Sequence, residues 1–211
     1  MLTFLNPETL LNPDTFLNPE QTFRLANYVC YCTDRPTLGG DTAILFRRGI
    51  VHHSVPVPGL THLEATAIQV TLAGRPVIVL AAYLSPSRPL IGMDLSACVG
   101  REFLVLMAGD LKARHVDWNS RLSTRRGKLL RTYADENCCL IFGPDTPTTC
   151  PYNPSVTPDV LDIVITKNFQ IPVYLTSCSA LSSNHLPIII DTTCRSSFNP
   201  PPDRSDFRRT D

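Results

Sequence analysis

Short apolar runs divided by turns dominate the chain, and most have the length and spacing of strands. Thr42-Ala-Ile-Leu-Phe46 follows Gly39-Gly40 and stops at Arg47-Arg48-Gly49. Across residues 63–72, Ala65, Ala67 and Val70 alternate with polar partners, as in a half-buried strand. Residues 77–83 and 103–108 are instead continuously apolar, the signature of strands covered on both faces. Leu161-Asp-Ile-Val-Ile165 and Leu186-Pro-Ile-Ile-Ile190 predict two more strands. The strongest helical signal lies over residues 125–139. There Leu129, Leu130, Tyr133 and Ala134 recur at helical spacing, with Arg126, Lys128, Arg131 and Glu136 opposite. Together these predict an α/β sandwich of roughly ten strands with few helices.

Composition changes this picture only at the ends. A length of 211 residues suits one α/β domain. Residues 1–20 form a near-repeat (Leu5-Asn-Pro-Glu-Thr-Leu10, Leu11-Asn-Pro-Asp-Thr-Phe16, Leu17-Asn-Pro-Glu20) whose prolines forbid a long helix or a central strand. This segment is expected to be loosely held, with the domain proper over residues 21–195. Residues 196–211 are polar and proline-rich, as in a linker or disordered tail. Lys+Arg and Asp+Glu balance at 19 each, which says little, because a local patch suffices to bind phosphates. No signal-like start and no apolar run near the roughly 20 residues of a bilayer span is present, so an intracellular protein is expected. The 8 cysteines include no Cys-x-x-Cys pair, and free, mostly buried thiols are expected.

Three polar sites stand just beyond apolar strands, where α/β folds place their ligands. In Gly109-Asp110-Leu-Lys112, Asp110 and Lys112 are two apart and face one way on an extended chain. Asp162 is embedded among Leu161, Ile163, Val164 and Ile165, which is costly for a carboxylate without a partner. His185, in Ser183-Asn184-His185, enters an apolar strand, and Asp162 is the natural group to orient it. Singly, each has a plainer explanation: a turn, a loop cap, a satisfied core histidine. The three in order at three strand ends point to one site. His115, Asp117 and Trp118 follow the first, with no spacing that demands a role. A serine hydrolase built on Ser182 or Ser183 lacks the Gly-x-Ser-x-Gly elbow.

The order Ala82-Tyr83, Gly109-Asp110-Leu-x, Leu161-Asp162-Ile-Val-Ile, Ser183-x-His185-Leu-Pro resembles the endonuclease/exonuclease/phosphatase superfamily. Tyr31-Cys-Thr-Asp-Arg-Pro36, Gly40-Asp-Thr-Ala-Ile-Leu45, Leu63-Glu-Ala-Thr66, residues 109–121, Arg126-Gly127 and Thr157-Pro-Asp-Val-Leu-Asp162 are similar to jockey-type non-LTR retrotransposon endonucleases, over about residues 20–195. That resemblance implies a four-layered, deoxyribonuclease I-like sandwich, Mg²⁺ as cofactor, and nicking of DNA. It also implies a reverse transcriptase as the partner domain in the intact element, and a nuclear location for a working copy. Carried over by position, it gives Tyr83 a place near the phosphate and makes Asp110 the first of an Asp-x-Asn pair. Asp162 then orients His185, and Glu8 or Asp14 is the metal-binding acid.

The chain departs from that pattern at two positions. Where the family has Asn, residue 112 is Lys, which only donates and adds a positive charge. Where the family has Asp, residue 184 is Asn, which cannot accept a proton. The early strand before the metal-binding acid is expected to be missing or incomplete. Impaired cutting follows as the expectation. A non-catalytic nucleic-acid-binding remnant, using Lys112, Arg114, Arg121, Arg125, Arg126 and Lys128, is the competing reading.

Overall fold

Alternation sends successive strand residues to opposite faces, and in the central sheet both faces are apolar. The structure, a computed structural model, describes residues 2–4, 26–33, 42–57, 59–100, 102–178 and 184–192. The proline repeat, Glu8, Asp14, Ser182, Ser183 and the tail beyond 195 lie outside the described residues.

Among the described residues the strands are β1 (Leu2–Phe4), β2 (Tyr28–Thr33), β3 (Thr42–Arg47), β4 (His52–Val55), β5 (Leu63–Leu72) and β6 (Arg75–Leu84), then β7 (Leu104–Asp110), β8 (Cys139–Phe142), β9 (Asp162–Lys167), β10 (Val173–Ser177) and β11 (Ile188–Thr192). The helices are α1 (Gly92–Val99) and α2 (Arg125–Glu136), with a 3₁₀ turn at Val116–Trp118. Six strands form one sheet in the order β4-β5-β6-β7-β9-β8. Only β6 and β7 run parallel in it. The connection between them carries α1, as a parallel crossover requires. Strands β1-β11-β10 and β2-β3 form two smaller ladders.

The continuous apolar runs are explained by two cores. Ile78, Leu80, Met107 and Ile163 face Leu95 and Cys98 of α1 and Leu130 and Tyr133 of α2. Their neighbours Val79, Leu106 and Val164 face Ile44 and Phe46 of β3 and Ile188 and Ile190 of β11. Helices, large sheet and smaller ladders are thus three layers of the expected sandwich.

The N-terminal strand is short, in keeping with the expectation of an incomplete one: β1 has three residues, paired antiparallel with Ile188–Ile190. Two details differ from the sequence reading. The second helix ends at Glu136, because Cys138 adopts a positive φ of 54° and turns the chain into β8. The described cysteines form no disulfide, yet only Cys98 and Cys139 among them are buried, against the expectation of mostly buried thiols.

Helix α1 carries the acid that fixes the start of β5. Asp94, in its first turn, is 0% exposed, and its carboxylate accepts the backbone N–H groups of Thr61, His62 and Leu63 at 2.8 Å each. Truncating it leaves three donors without a partner beside an apolar core. Asp94→Ala is therefore expected to lower stability by about 3 kcal/mol or more, read as a drop in urea midpoint at unchanged m. A change below about 0.5 kcal/mol would mean that the loop finds other acceptors.

Candidate active site

Strand register gathers the polar residues. Glu64 lies opposite Tyr83, Tyr83 opposite Asp110, and Asp110 opposite Asp162. Directly paired residues share a face, so one polar row crosses β5, β6, β7 and β9. It lies on the face that packs against β3 and β11, at the end of the inter-sheet core. Strand β7 runs two residues further than its apolar run, so Asp110 is the strand's last residue, 1% exposed, and not a turn residue beyond it. Glu64 belongs to this row and was not singled out from the sequence. Alternation gives its face, but only the pairing shows that it stands beside Tyr83.

His185 reaches the row through a strap. Thr149 bridges to both Asp159 and His185, and the Leu186 N–H donates to the Thr148 carbonyl at 2.7 Å. The Thr148 hydroxyl accepts the N–H groups of Leu161 and Asp162 at 2.9 and 3.0 Å. Residues 148–149 thereby tie the segment holding His185 to the segment holding Asp162. As the sequence suggested, His185 Nδ1 faces Asp162 Oδ2, at 3.4 Å. Asn184 is exposed, and its carbonyl accepts the Cys150 N–H at 2.7 Å and the Thr149 hydroxyl at 3.2 Å.

The Lys112 ammonium lies 2.5 Å from Asp110 Oδ2. The Lys112 backbone N–H donates to Asp110 Oδ1 at 2.8 Å. Lys112 adopts φ +49°, in the left-handed region where Asn is enriched and Lys is strained.

Burial, reinforced by the charge of Asp162, raises the Asp110 carboxyl from 3.8 to about 6, against the opposing pull of Lys112. The hydrogen bond to Asp162 raises His185 above its usual 6.5, and burial opposes it. Both shifts act in one direction. Asp110 binds its proton more tightly when folded, so it disfavours the fold increasingly as pH rises from about 4 to 6. His185, with its folded pKa raised, contributes stability below 6.5 that is lost as pH rises through the folded value. Stability is therefore expected to fall between about pH 4 and 7, less steeply in Asp110→Asn and in His185→Gln, by denaturant titration across that window. Equal slopes in all three proteins would refute the assignment.

Oxygen or nitrogen atoms of Asp110, Asp162 and His185 all lie within 4.8 Å of one another, a cluster of the kind that holds a metal ion. Mg²⁺ favours an octahedral shell of carboxylate and water oxygens. Both Asp110 oxygens are already engaged by Lys112, one by its ammonium. With Lys112 in this place the residues do not fit Mg²⁺ at Asp110. Glu8 and Asp14 are outside the described residues.

The basic run after Asp110 divides between structure and surface. Arg114 pairs with buried Asp159 at 3.3 Å. Arg126 ties α2 to the turn after β6 through the carbonyls of Pro86, at 2.6 Å, and Arg88. Arg131 bonds Asp117 at 2.6 Å and also Asp135. Arg121, Arg125 and Lys128 are exposed. Trp118 is a core residue, 1% exposed, whose indole N–H donates to the Ala113 carbonyl at 3.0 Å.

A family profile described as endonuclease-reverse transcriptase matches residues 77–189, more than half of the 211 and every strand bearing the site except β5. The chain belongs to that family. It is 28% identical over 166 residues to the RNA-directed DNA polymerase from mobile element jockey of Drosophila funebris. It is also 28% identical over 201 residues to the probable RNA-directed DNA polymerase from transposon BS of Drosophila melanogaster. These alignments cover 77% and 90% of this chain but only 18% and 22% of those relatives, so the chain spans about a fifth of their length. Among solved structures, the endonuclease domain of TRAS1, a telomere-specific non-LTR retrotransposon, superposes with a TM-score of 0.67. The superposition covers 81% of both chains at 15% identity, a likeness of fold. The deoxyribonuclease I-like sandwich and the jockey-type resemblance both stand. Among the described residues no helix is long and apolar enough to cross a membrane.

Proposed function

We propose that this chain is the endonuclease part of a retrotransposon polyprotein, directed at phosphodiester bonds in DNA, and that its own cutting is impaired. The observation that carries the reading is the convergence of Asp110, Asp162 and His185, ligand atoms within 4.8 Å, in register with Tyr83 at the end of the inter-sheet core. In this reading His185, whose charged form Asp162 favours, donates a hydrogen bond to the phosphoryl oxygens as charge builds on them. Tyr83, at the end of β6 beside Asp110, lies next to the phosphate. Asp110 and residue 112 grip phosphate and attacking water.

The impairment has two sources. An Asn at position 112 offers a donor and an acceptor, whereas Lys112 offers only donors and turns them onto Asp110. Asn184 brings an amide where a carboxylate would accept a proton. In the intact element a reverse transcriptase domain would extend DNA from the nick, and the site of action would be the nucleus. Arg121, Arg125 and Lys128 stay exposed and available to a phosphate backbone, so DNA binding is expected to survive the loss of cutting.

The test is nicking of supercoiled plasmid in Mg²⁺ buffer by the chain and by Lys112→Asn with Asn184→Asp. The reading requires the double variant to nick far faster. Equal nicking by both would refute the impairment. No nicking by a folded double variant, with no DNA retention by either protein, would refute the endonuclease assignment.

A further inference from the structure

Two close side-chain pairs meet in the site. Lys112 Nζ lies 2.5 Å from Asp110 Oδ2, and His185 Nδ1 lies 3.4 Å from Asp162 Oδ2. The Asp110 side chain has no solvent exposure, while Lys112 keeps 20%. Solvent therefore meets this pair through its lysine. The arrangement is held from within the chain. The two residues are separated only by Leu111, which is 1% exposed, and the backbone N–H of Lys112 also bonds Asp110, so the turn returns the ammonium to the carboxylate.

We infer that the Lys112 ammonium is the resident cation of this site, tethered in place of a divalent metal ion, and that Asp110, Asp162 and His185 take up no divalent cation while it is there. A divalent ion approaching Asp110 would share its ligand oxygen with a unit positive charge, and His185, when protonated, adds a second. In a site shielded from water that repulsion is screened weakly. Asp110 is already paired with a cation, which takes away part of the electrostatic gain open to an incoming ion. The inference rests on reading this cluster as the family's catalytic site, but its test uses no DNA.

The experiment is Mn²⁺ uptake by the full chain, followed through the electron paramagnetic resonance signal of the free ion. Lys112→Asn removes the charge and supplies a neutral amide. Lys112→Met removes the charge and keeps the stem, so the test survives if one variant fails to fold. Asp110→Asn is added to each as the control for site. The unaltered chain is expected to leave the free-ion signal unchanged where both Lys112 variants bind Mn²⁺ at least about tenfold more tightly, through a site lost with Asp110. Two outcomes overturn the inference. One is uptake by the unaltered chain, sensitive to Asp110→Asn, within about threefold of the Lys112→Met affinity. The other is the absence of uptake in both folded Lys112 variants, because then Lys112 is not what excludes the ion. Mn²⁺ uptake restored without plasmid nicking would leave the inference standing and count against the endonuclease reading.

Discussion

With Lys112→Asn and Asn184→Asp combined, plasmid nicking is expected to rise by about a thousandfold or more over the unaltered chain. The size follows from the parts the two positions play around one reacting phosphate. Removing a single preorganised donor to a developing oxyanion typically costs a hundredfold or more, about 3 kcal/mol. Position 112 stands two residues from Asp110 and position 184 next to His185, so the substitutions act beside two members of one cluster. Residues that act as one unit are not additive, and each single variant is expected to recover only a small part of the gain. Lys112→Asn frees Asp110 Oδ2, with the backbone N–H of residue 112 still on Oδ1, but leaves an amide beside His185. Asn184→Asp alone adds a carboxylate while Lys112 still covers Asp110. Initial rates of open-circle formation for the four proteins, at equal folded concentration, decide the point. A gain that is the simple product of two large single effects would show that the positions act independently.

The sheet was legible from the sequence where apolar residues had to be buried on both faces. The pattern over residues 63–72 gives β5 to its ends, and the runs of β6 and β7 declare their two cores. Strand β4 was not legible, because His52, His53 and Ser54 make an edge strand whose side chains need no core. Helix α1 was missed for a related reason. It is a short crossover helix whose N-cap, Ile91, makes no side-chain cap bond, and its anchor is Asp94. The site was legible as three separate points, since a polar residue inside an apolar strand is visible in the pattern. Its connections were not. The row through Glu64 and Tyr83 is a property of register, and the Lys112–Asp110 pair follows from a left-handed turn. Lys112 two residues on from Asp110 would face the same way along a straight strand, but the strand ends at Asp110 and the chain turns.

Gly109→Ala is expected to cost more than about 4 kcal/mol and to unfold a large share of the chain, because a methyl has no room at this point of the sheet. Gly109 sits inside β7 between Ala82 of β6 and Ile163 of β9. A Cβ built on it would lie 1.8 Å from the Ala82 carbonyl oxygen and 2.8 Å from its carbon. These are backbone atoms of a central strand, so relief requires parting β6 from β7, and no rotamer change helps. The φ of +152° adds strain for any side chain. The damage would fall next to the chemistry, since Asp110 follows directly and pairs with Tyr83 and Asp162 through the ladders that would be forced apart. Gly74→Ala is the comparison, with a positive φ of 75°, in the left-handed region, and nothing within 4 Å of the added carbon. It carries the strain of a positive φ without any collision, and about 1–3 kcal/mol is expected for it. Urea unfolding of the two variants separates these contributions. Equal midpoints would mean that the strands part more easily than backbone packing in a fully covered sheet allows.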